Sequence, residues 1–272
     1  WATIDVLLRG LHHVRPVEVR PGSAEAVYRH HVAELVEHMR VEASRLPTVR
    51  YAMIQAATGR LFGCLRILRR AAREYAAVMT GREVPTVAVV GEIYVRSDPF
   101  ANDFVIDKLE SRGIRAQLAP FNEWLEYAEW CGREEGRNRS VGALLTRMVL
   151  YRCQELTHSA LARRLGWHSR TTVAQALAAA APYLRTDLHG EAVLTLGGAV
   201  HEWRTSAVDG VVNVGPLECM PTKLAETQLF HVAECEGLPS VTLPFNGDPL
   251  DPEALDNFAF EVHRGFEHRR AV

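Results

Sequence analysis

The segment Thr86 to Val95, TVAVVGEIYV, constrains what this chain can fold into more than any other. A β-branched run without polar alternation marks a strand buried on both faces, and such strands belong to parallel sheets joined by helical crossovers. The next segments fit that plan. Asp98-Pro99 predicts a helix start, with Asp98 as N-cap and Pro99 in the first position, running through Val105, Ile106 and Leu109 to a stop at Gly113. Arg115 to Ala119 reads as a second, short strand. A further strand–helix–strand unit closes the chain. It comprises a strand over Gly210 to Val214, a turn from Gly215 to Met220, a helix from Pro221 to Glu236 stopped by Gly237, a strand over Ser240 to Leu243 and a helix from Pro252 to His268. Alternation of this kind predicts an α/β fold with a doubly wound parallel sheet. Ligands in such sheets bind beyond the carboxyl ends of the strands. Two loops take that position, Glu92 to Asn102 and Gly215 to Pro221.

The remainder reads as helix. Pro21-Gly22-Ser23 is a stop followed by an N-cap, and Ala24 to Met39 then sets Val27, Leu35, Val36 and Met39 near one face. A second helix is expected over Ile54 to Val78, broken weakly by Gly59 and Gly63, with a boundary at Gly81 to Pro85. The expected organisation is a helical lead-in over 1–83, the remnant of or connection to an upstream lobe, and an α/β lobe over 84–272. Helices inside that lobe are predicted over Phe121 to Gly136, Val141 to Leu165, Thr172 to Leu184 and Glu191 to Arg204. In the last of these, Gly197-Gly198 permits close packing or a bend. The opening WATIDVLLRGLHHVRP reads as the inside of a folded region, so an earlier part is expected.

The chain has 272 residues, 47% hydrophobic and 24% charged, the profile of a soluble globular protein. A net charge of -2 supplies no overall field for nucleic acid or anionic lipid. No apolar run approaches the roughly 20 residues that span a bilayer. The five cysteines, Cys64, Cys131, Cys153, Cys219 and Cys235, are odd in number and show no C-x-x-C spacing. That argues against a disulfide framework or a zinc ribbon and for a reducing cytoplasm.

Cys219 is the most informative residue. It lies between a buried strand and a helix beginning at Pro221, where free N–H groups and the positive end of the helix dipole favour thiolate, the form that binds iron or attacks an electrophile. The bland alternative is a small buried residue with inert sulfur. Cys235 lies about 24 Å further along the same helix and cannot share a cluster with Cys219. Cys64, Cys131 and Cys153 fall within predicted helices as packing residues. An iron–sulfur cluster needs three or four thiolates, so further ligands must come from elsewhere. Glu92, Arg96 and Asn102 sit on the loop facing the crevice. Arg96 and Asn102 there either contact an anionic ligand or serve locally, Asn102 as a cap and Arg96 in an ion pair. Glu191 either binds a ligand or complements its helix dipole. His12-His13 and His30-His31 are neighbours rather than i, i+4 zinc pairs and are expected at the surface.

Val90 to Asp103, VGEIYVRSDPFAND, resembles the G-E-I-Y-V-R-x-N-P-F-x-N signature of the 2-hydroxyacyl-CoA dehydratase activator-related proteins. Asn213 to Pro221, NVGPLECMP, is similar to their N-V-x-P-F-x-C-M-P segment. Asn122 to Tyr127, Ala181 to Leu184, Gly190 to Gly197, and the opening W-x-x-I-D-x-L-L with R-P-V-E-V extend the likeness over nearly the whole chain. The resemblance implies a Rossmann-like lobe of the 2-hydroxyglutaryl-CoA dehydratase and benzoyl-CoA reductase cluster-subunit superfamily. Such subunits hold a [4Fe-4S]-type cluster between two α/β lobes, with cysteines from both, and an ATP-hydrolysing activase supplies a low-potential electron. On that likeness Cys219 would ligate iron. Glu92, Arg96, Asn102, Gly215, Pro216, Met220 and Pro221 would line the cofactor. The missing cysteines would come from an upstream lobe or partner subunit. No phosphate-binding glycine loop of the activase kind is present, so this chain alone is expected neither to hydrolyse ATP nor to be a complete enzyme. Two departures stand out. Asp98 replaces the usual Asn, and Leu217-Glu218 replaces Phe and a small residue before the cysteine. A carboxylate beside a thiolate makes an anionic cluster harder to reduce.

Two rival readings come from other classes. One is a cluster-less structural lobe used for docking. The other is a helix-turn-helix over His158 to Leu177, HSALARRLGWHSRTTVAQAL, with Arg163, Arg164 and Arg170 supplying charge for DNA. Its second helix runs into an alanine-rich stretch, which counts against DNA binding.

Overall fold

The computed structural model describes residues 1–45, 48–137, 140–188 and 190–271. In chain order, the helices α1 (Ala2–Val14), α2 (Ser23–Ser44), α3 (Val49–Ala57) and α4 (Cys64–Ala77) precede β1 (Thr86–Gly91), α5 (Ile93–Ser97), α6 (Val105–Ser111) and β2 (Arg115–Leu118). Then come α7 (Asn122–Glu134), α8 (Val141–Leu165), α9 (Val173–Ala180), α10 (Glu191–Arg204), β3 (Gly210–Pro216), α11 (Met220–Glu236), β4 (Ser240–Phe245) and α12 (Pro252–Ala271).

The chain forms two compact units. The first joins Trp1–Gly81 to Pro120–Arg170, and the second joins Arg82–Ala119 to Thr171–Val272. The boundary expected near residue 83 therefore falls at Gly81, but α7 and α8 group with the N-terminal helices rather than with the sheet. The physical reason lies in their buried faces. Leu161 and Leu165 of α8 join Leu7, Leu11, Leu68 and Ala71 in one apolar core, and Asn122 of α7 bonds to the Asp5 carboxylate through its backbone N–H at 3.0 Å.

In this helical unit α4 follows the 3.6-residue period. Leu65, Leu68, Ala71, Ala72 and Tyr75 are buried, while Arg66, Arg69 and Arg73 fall between them. Tyr75 is wholly buried, and its hydroxyl donates to Leu7 O at 2.9 Å. Burial pushes its phenol far above the ordinary range. The start of α2 is held by Glu18, whose carboxylate accepts from the N–H groups of Gly22 and Ala24, each at 2.8 Å. The cap thus comes from Glu18, and Ser23 is the first helical residue. The single helix expected over Ile54 to Val78 is broken into α3 and α4. Gly59 takes positive φ, Arg60 returns to the right-handed region, and Leu61, Phe62 and Gly63 are all at positive φ, so the break is made by left-handed backbone on both sides of Arg60.

The second unit is α/β. Its four strands are all parallel, in the order β2-β1-β3-β4, so the sheet winds outward in both directions from the β1–β3 pair. This is a Rossmann-like arrangement. Val87 and Val89 of β1 and Val212 and Val214 of β3 pack with Val105, Leu109, Leu255 and Phe258 from α6 and α12. Residues between them point the other way, where α10 contacts β1 and α11 contacts β3. At the entry to β1, the Asp209 carboxylate accepts from Thr86 N at 2.6 Å.

The helix expected over Thr172 to Leu184 ends at Ala180, β3 and β4 each run two residues further than expected, and two boundaries around the first crevice loop also move. The strand begun at Thr86 ends at Gly91 rather than Val95, because Gly91 turns to φ +113° and the Glu92 carboxylate caps α5 through the N–H groups of Tyr94 and Val95. The helix expected from Asp98 starts at Val105. Asp98 accepts from Phe100 and Ala101 N–H in a turn, at 2.9 and 3.0 Å. Asp103 and Phe104 then both take positive φ before the helix begins.

Candidate crevice at the switch point

In an open parallel sheet, the strand order reverses at a switch point, where loops leave in opposite directions and open a crevice. Here that point lies between β1 and β3. The two loops singled out from the sequence leave these neighbouring strands. Glu92 N donates to Val214 O at 2.9 Å, which pins the start of the first loop to the end of β3.

Two glycines make this close approach. A Cβ on Gly91 would lie 1.9 Å from Val214 O, and one on Gly215 would lie 2.2 Å from the Thr222 hydroxyl in the first turn of α11. Beneath them Asn213, fully buried in β3, donates to Thr222 O at 3.3 Å and to the Thr242 hydroxyl at 3.2 Å. Its side-chain oxygen is buried without a hydrogen-bond partner among the described residues, and a Cβ on Gly91 would come within 2.9 Å of it. The motif around N-V-G-P therefore serves the packing of β1, β3 and α11 through Asn213 and Gly215. Motif and spacing do not single out Asn213 as a site residue, although an Asn inside a valine run is a signal that points to it.

Cys219 is the N-cap residue of α11, and it is half-buried. Its N–H donates to Pro216 O at 3.1 Å and its carbonyl accepts from Lys223 N at 3.0 Å, so the backbone is fixed on both sides of the sulfur. Pro221 occupies the first turn, where its missing N–H is no loss. Pro216 is exposed at the strand end, Met220 is 71% exposed, Pro221 is half-buried and Glu218 is exposed. As N-cap, Cys219 stands at the positive end of the dipole of a 17-residue helix, where the first-turn N–H groups have no helical partner.

On the opposite loop, Glu92 is spent as the α5 cap. Arg96 is buried and its guanidinium donates to Gly91 O at 3.2 Å. Asn102 is buried as well. Its amide donates to Val95 O at 2.8 Å and Arg96 O at 3.3 Å, and its oxygen accepts from Val105 N at 3.2 Å. Arg96 and Asn102 thus brace the loop from inside. Glu191, at the start of α10, accepts from Ile93 N at 2.9 Å and holds the same loop.

Three of the other cysteines belong to the helical unit and one to the far end of α11. Cys64 is buried and Cys153 half-buried in the helical unit, and burial pushes both thiols up. Cys235 is exposed near the end of α11, 3.8 Å from the His231 ring. Among the described residues of the α/β unit, Cys219 is the one thiol at the switch point. The donor set fits one corner of a cluster and no more. A cavity of about 620 Å³ lies elsewhere, at the amino-terminal edge of the sheet, among Glu83, Pro85, Gly113, His263, Phe266 and Arg270. It is bordered by the exposed Arg270–Glu83 ion pair and lacks the strand ends that make the switch point a binding place.

The second helix of the helix-turn-helix reading, α9, turns little polar surface outward. α9 buries Val173, Ala176, Leu177, Ala179 and Ala180, which leaves Ala174, Gln175 and Ala178 outward. Arg170 is engaged by Glu126 at 2.8 Å and Glu155 at 3.1 Å. No helix among the described residues is long and apolar enough to cross a membrane. No family model, curated protein or solved structure matches this chain.

Proposed function

We propose that the α/β unit is the cysteine-bearing lobe of an iron–sulfur redox protein of the acyl-CoA dehydratase and activator type. It would contribute Cys219 as one ligand of a [4Fe-4S]-type cluster whose other thiolates come from a second lobe or subunit. The observation that carries this reading is the half-buried Cys219 thiol at the amino end of α11, beside the β1–β3 switch point. The two loops that bear the motif resemblance are the two that leave that point. The cluster, when bound, stores or passes a single low-potential electron. This chain's residues hold the sulfur in position through Pro216 O and Lys223 N, and brace the facing loop through Arg96, Asn102 and Glu191. Glu218 adds negative charge beside the thiolate and disfavours reduction.

The test is anaerobic co-purification with the lobe or subunit that supplies the other cysteines, followed by iron and sulfide analysis and EPR of the reduced sample. Cys219→Ala is expected to lose more than half of the bound iron. Cluster content unchanged in that variant would remove Cys219 from the site. A second reading has its own support: Tyr94, Phe100, Leu217 and Met220, on the same two loops, are 65%, 88%, 45% and 71% exposed. Large apolar groups left in water at one edge suit docking. Colourless, iron-free protein from the same purification would favour a docking lobe without a cluster.

A further inference from the structure

The helical unit carries a second donor set, unrelated to the crevice. His30, His31 and Glu34 lie within five residues of α2, and one ligand atom from each lies within 4.8 Å of the other two. His30 and Glu34 are one helical turn apart, at i and i+4, and His31 and Glu34 are at i and i+3, so Glu34 lies between the two rings on the helix surface and can reach either. The pair His30-His31, expected at the surface, is split by the fold: His30 is exposed and His31 wholly buried.

The surroundings of His31 give the cluster its meaning. Its Nε2 is 2.9 Å from a Glu74 carboxylate oxygen on α4, and its Nδ1 is 3.2 Å from a Glu34 oxygen. A neutral imidazole carries one N–H. With that proton on Nε2, donated to Glu74, the Nδ1 lone pair faces the Glu34 carboxylate, and two acceptors oppose each other where the buried ring meets a part-exposed carboxylate. A cation between them relieves the repulsion. A ring nitrogen donating outward to a carboxylate while the other faces a metal is the usual arrangement of a ligating histidine. Arg70 pairs with the other Glu34 oxygen and fixes the carboxylate's orientation.

We propose that His30, His31 and Glu34 bind one divalent transition-metal ion, with Glu74 orienting His31 from behind. Two imidazoles and a carboxylate suit zinc best among the common ions, at about 2.0–2.2 Å from each donor. Tetrahedral ligation puts donor atoms about 3.3 Å apart. The Nδ1 to Glu34 separation already matches that, and the exposed His30 ring closes the remainder by rotation. Three protein donors leave the fourth position for water or an outside ligand.

The experiment uses the full chain, stripped of metal and carrying Cys235→Ser so that His231 and Cys235 do not compete. Zinc is titrated calorimetrically and cobalt(II) by its visible absorption. One ion per chain is expected, without thiolate-to-cobalt charge-transfer bands. His30→Ala and Glu34→Gln should each weaken zinc binding at least tenfold, and Glu74→Gln by roughly 10–100-fold. His30 is exposed, so its variant keeps the circular dichroism of the parent. No uptake by the folded protein would overturn the proposal, leaving a proton as the bridging cation. Uptake that His30→Ala and Glu34→Gln leave unchanged would overturn it equally.

Discussion

The two compact units build their polar features from opposite materials. In the α/β unit the crevice is shaped by backbone: Gly91 and Gly215 bring β1, β3 and α11 into contact, and capping side chains hold the loops that leave them. In the helical unit the polar features are side chains sunk into an apolar core. His12, His158 and His31 are buried, the last with its ring nitrogens turned to the part-exposed carboxylates of Glu34 and Glu74. Each unit is therefore vulnerable in its own way. A backbone-built site fails when a Cβ is added, and a side-chain-built core fails when a proton is added.

The strongest challenge to this contrast is Gly91→Ala. The new methyl would meet Val214 O at 1.9 Å in a conformation of φ +113°, and neither can yield without parting β1 from β3. A loss above about 4 kcal/mol is expected, read by urea denaturation with a probe on the sheet unit. Wild-type stability in that variant would show that the crevice is not backbone-determined.

Acid is the matching test of the helical unit. Desolvation holds His12 down at about 3, with Arg15 adding to it, and His158 at about 4, with Arg9 and Arg170 adding to it. Both titrate near 6.5 in the unfolded chain. As pH falls, the unfolded state therefore takes up protons first. The stability these groups contribute is complete above about pH 6.5, and is lost progressively toward pH 4 and then pH 3. Asp5 offsets part of this, because burial raises its carboxyl. Roughly 3 kcal/mol per histidine should vanish between pH 7 and pH 4, less the part that Asp5 returns, measured by denaturation at each pH, and His158→Gln should flatten the profile. An unaltered profile in that variant would refute the role given to His158.

Tyr75→Phe gives the smallest effect and probes the same core without a charge. It removes the hydroxyl that donates to Leu7 O, a carbonyl that keeps its helical bond within α1, at a cost of about 0.5–1.5 kcal/mol. The loss should show in thermal unfolding and leave the pH profile in place, since the phenol stays neutral throughout.

Much of this architecture is legible in the chain. The valine runs of β1 and β3, the Gly237 stop and the capping residue Thr172 carry their own structural meaning, because burial on two faces, left-handed backbone and side-chain caps each demand particular residue types. The two crevice loops follow from alternation of strand and helix. The details at the crevice do not. Glu92 reads as a strand or loop residue until Gly91 bends the chain, and Asp98 reads as a helix cap until Asn102 spends its amide on two carbonyls and delays the helix. The pair His30-His31 reads as surface because the partner Glu74 lies 43 residues away.

Residue type and spacing are enough to specify parallel strands joined by helices, with a cysteine at the amino end of one of them. Local propensity and hydrophobic burial act over a few residues, and they suffice for that much. Packing between distant segments selected which helices share a core, so that α7 and α8 left the sheet for the N-terminal helices. It also selected which polar groups meet: Asn213 under Gly91, and Glu74 against His31. Such meetings join residues far apart in the chain, and only the packed backbone sets the distances between them.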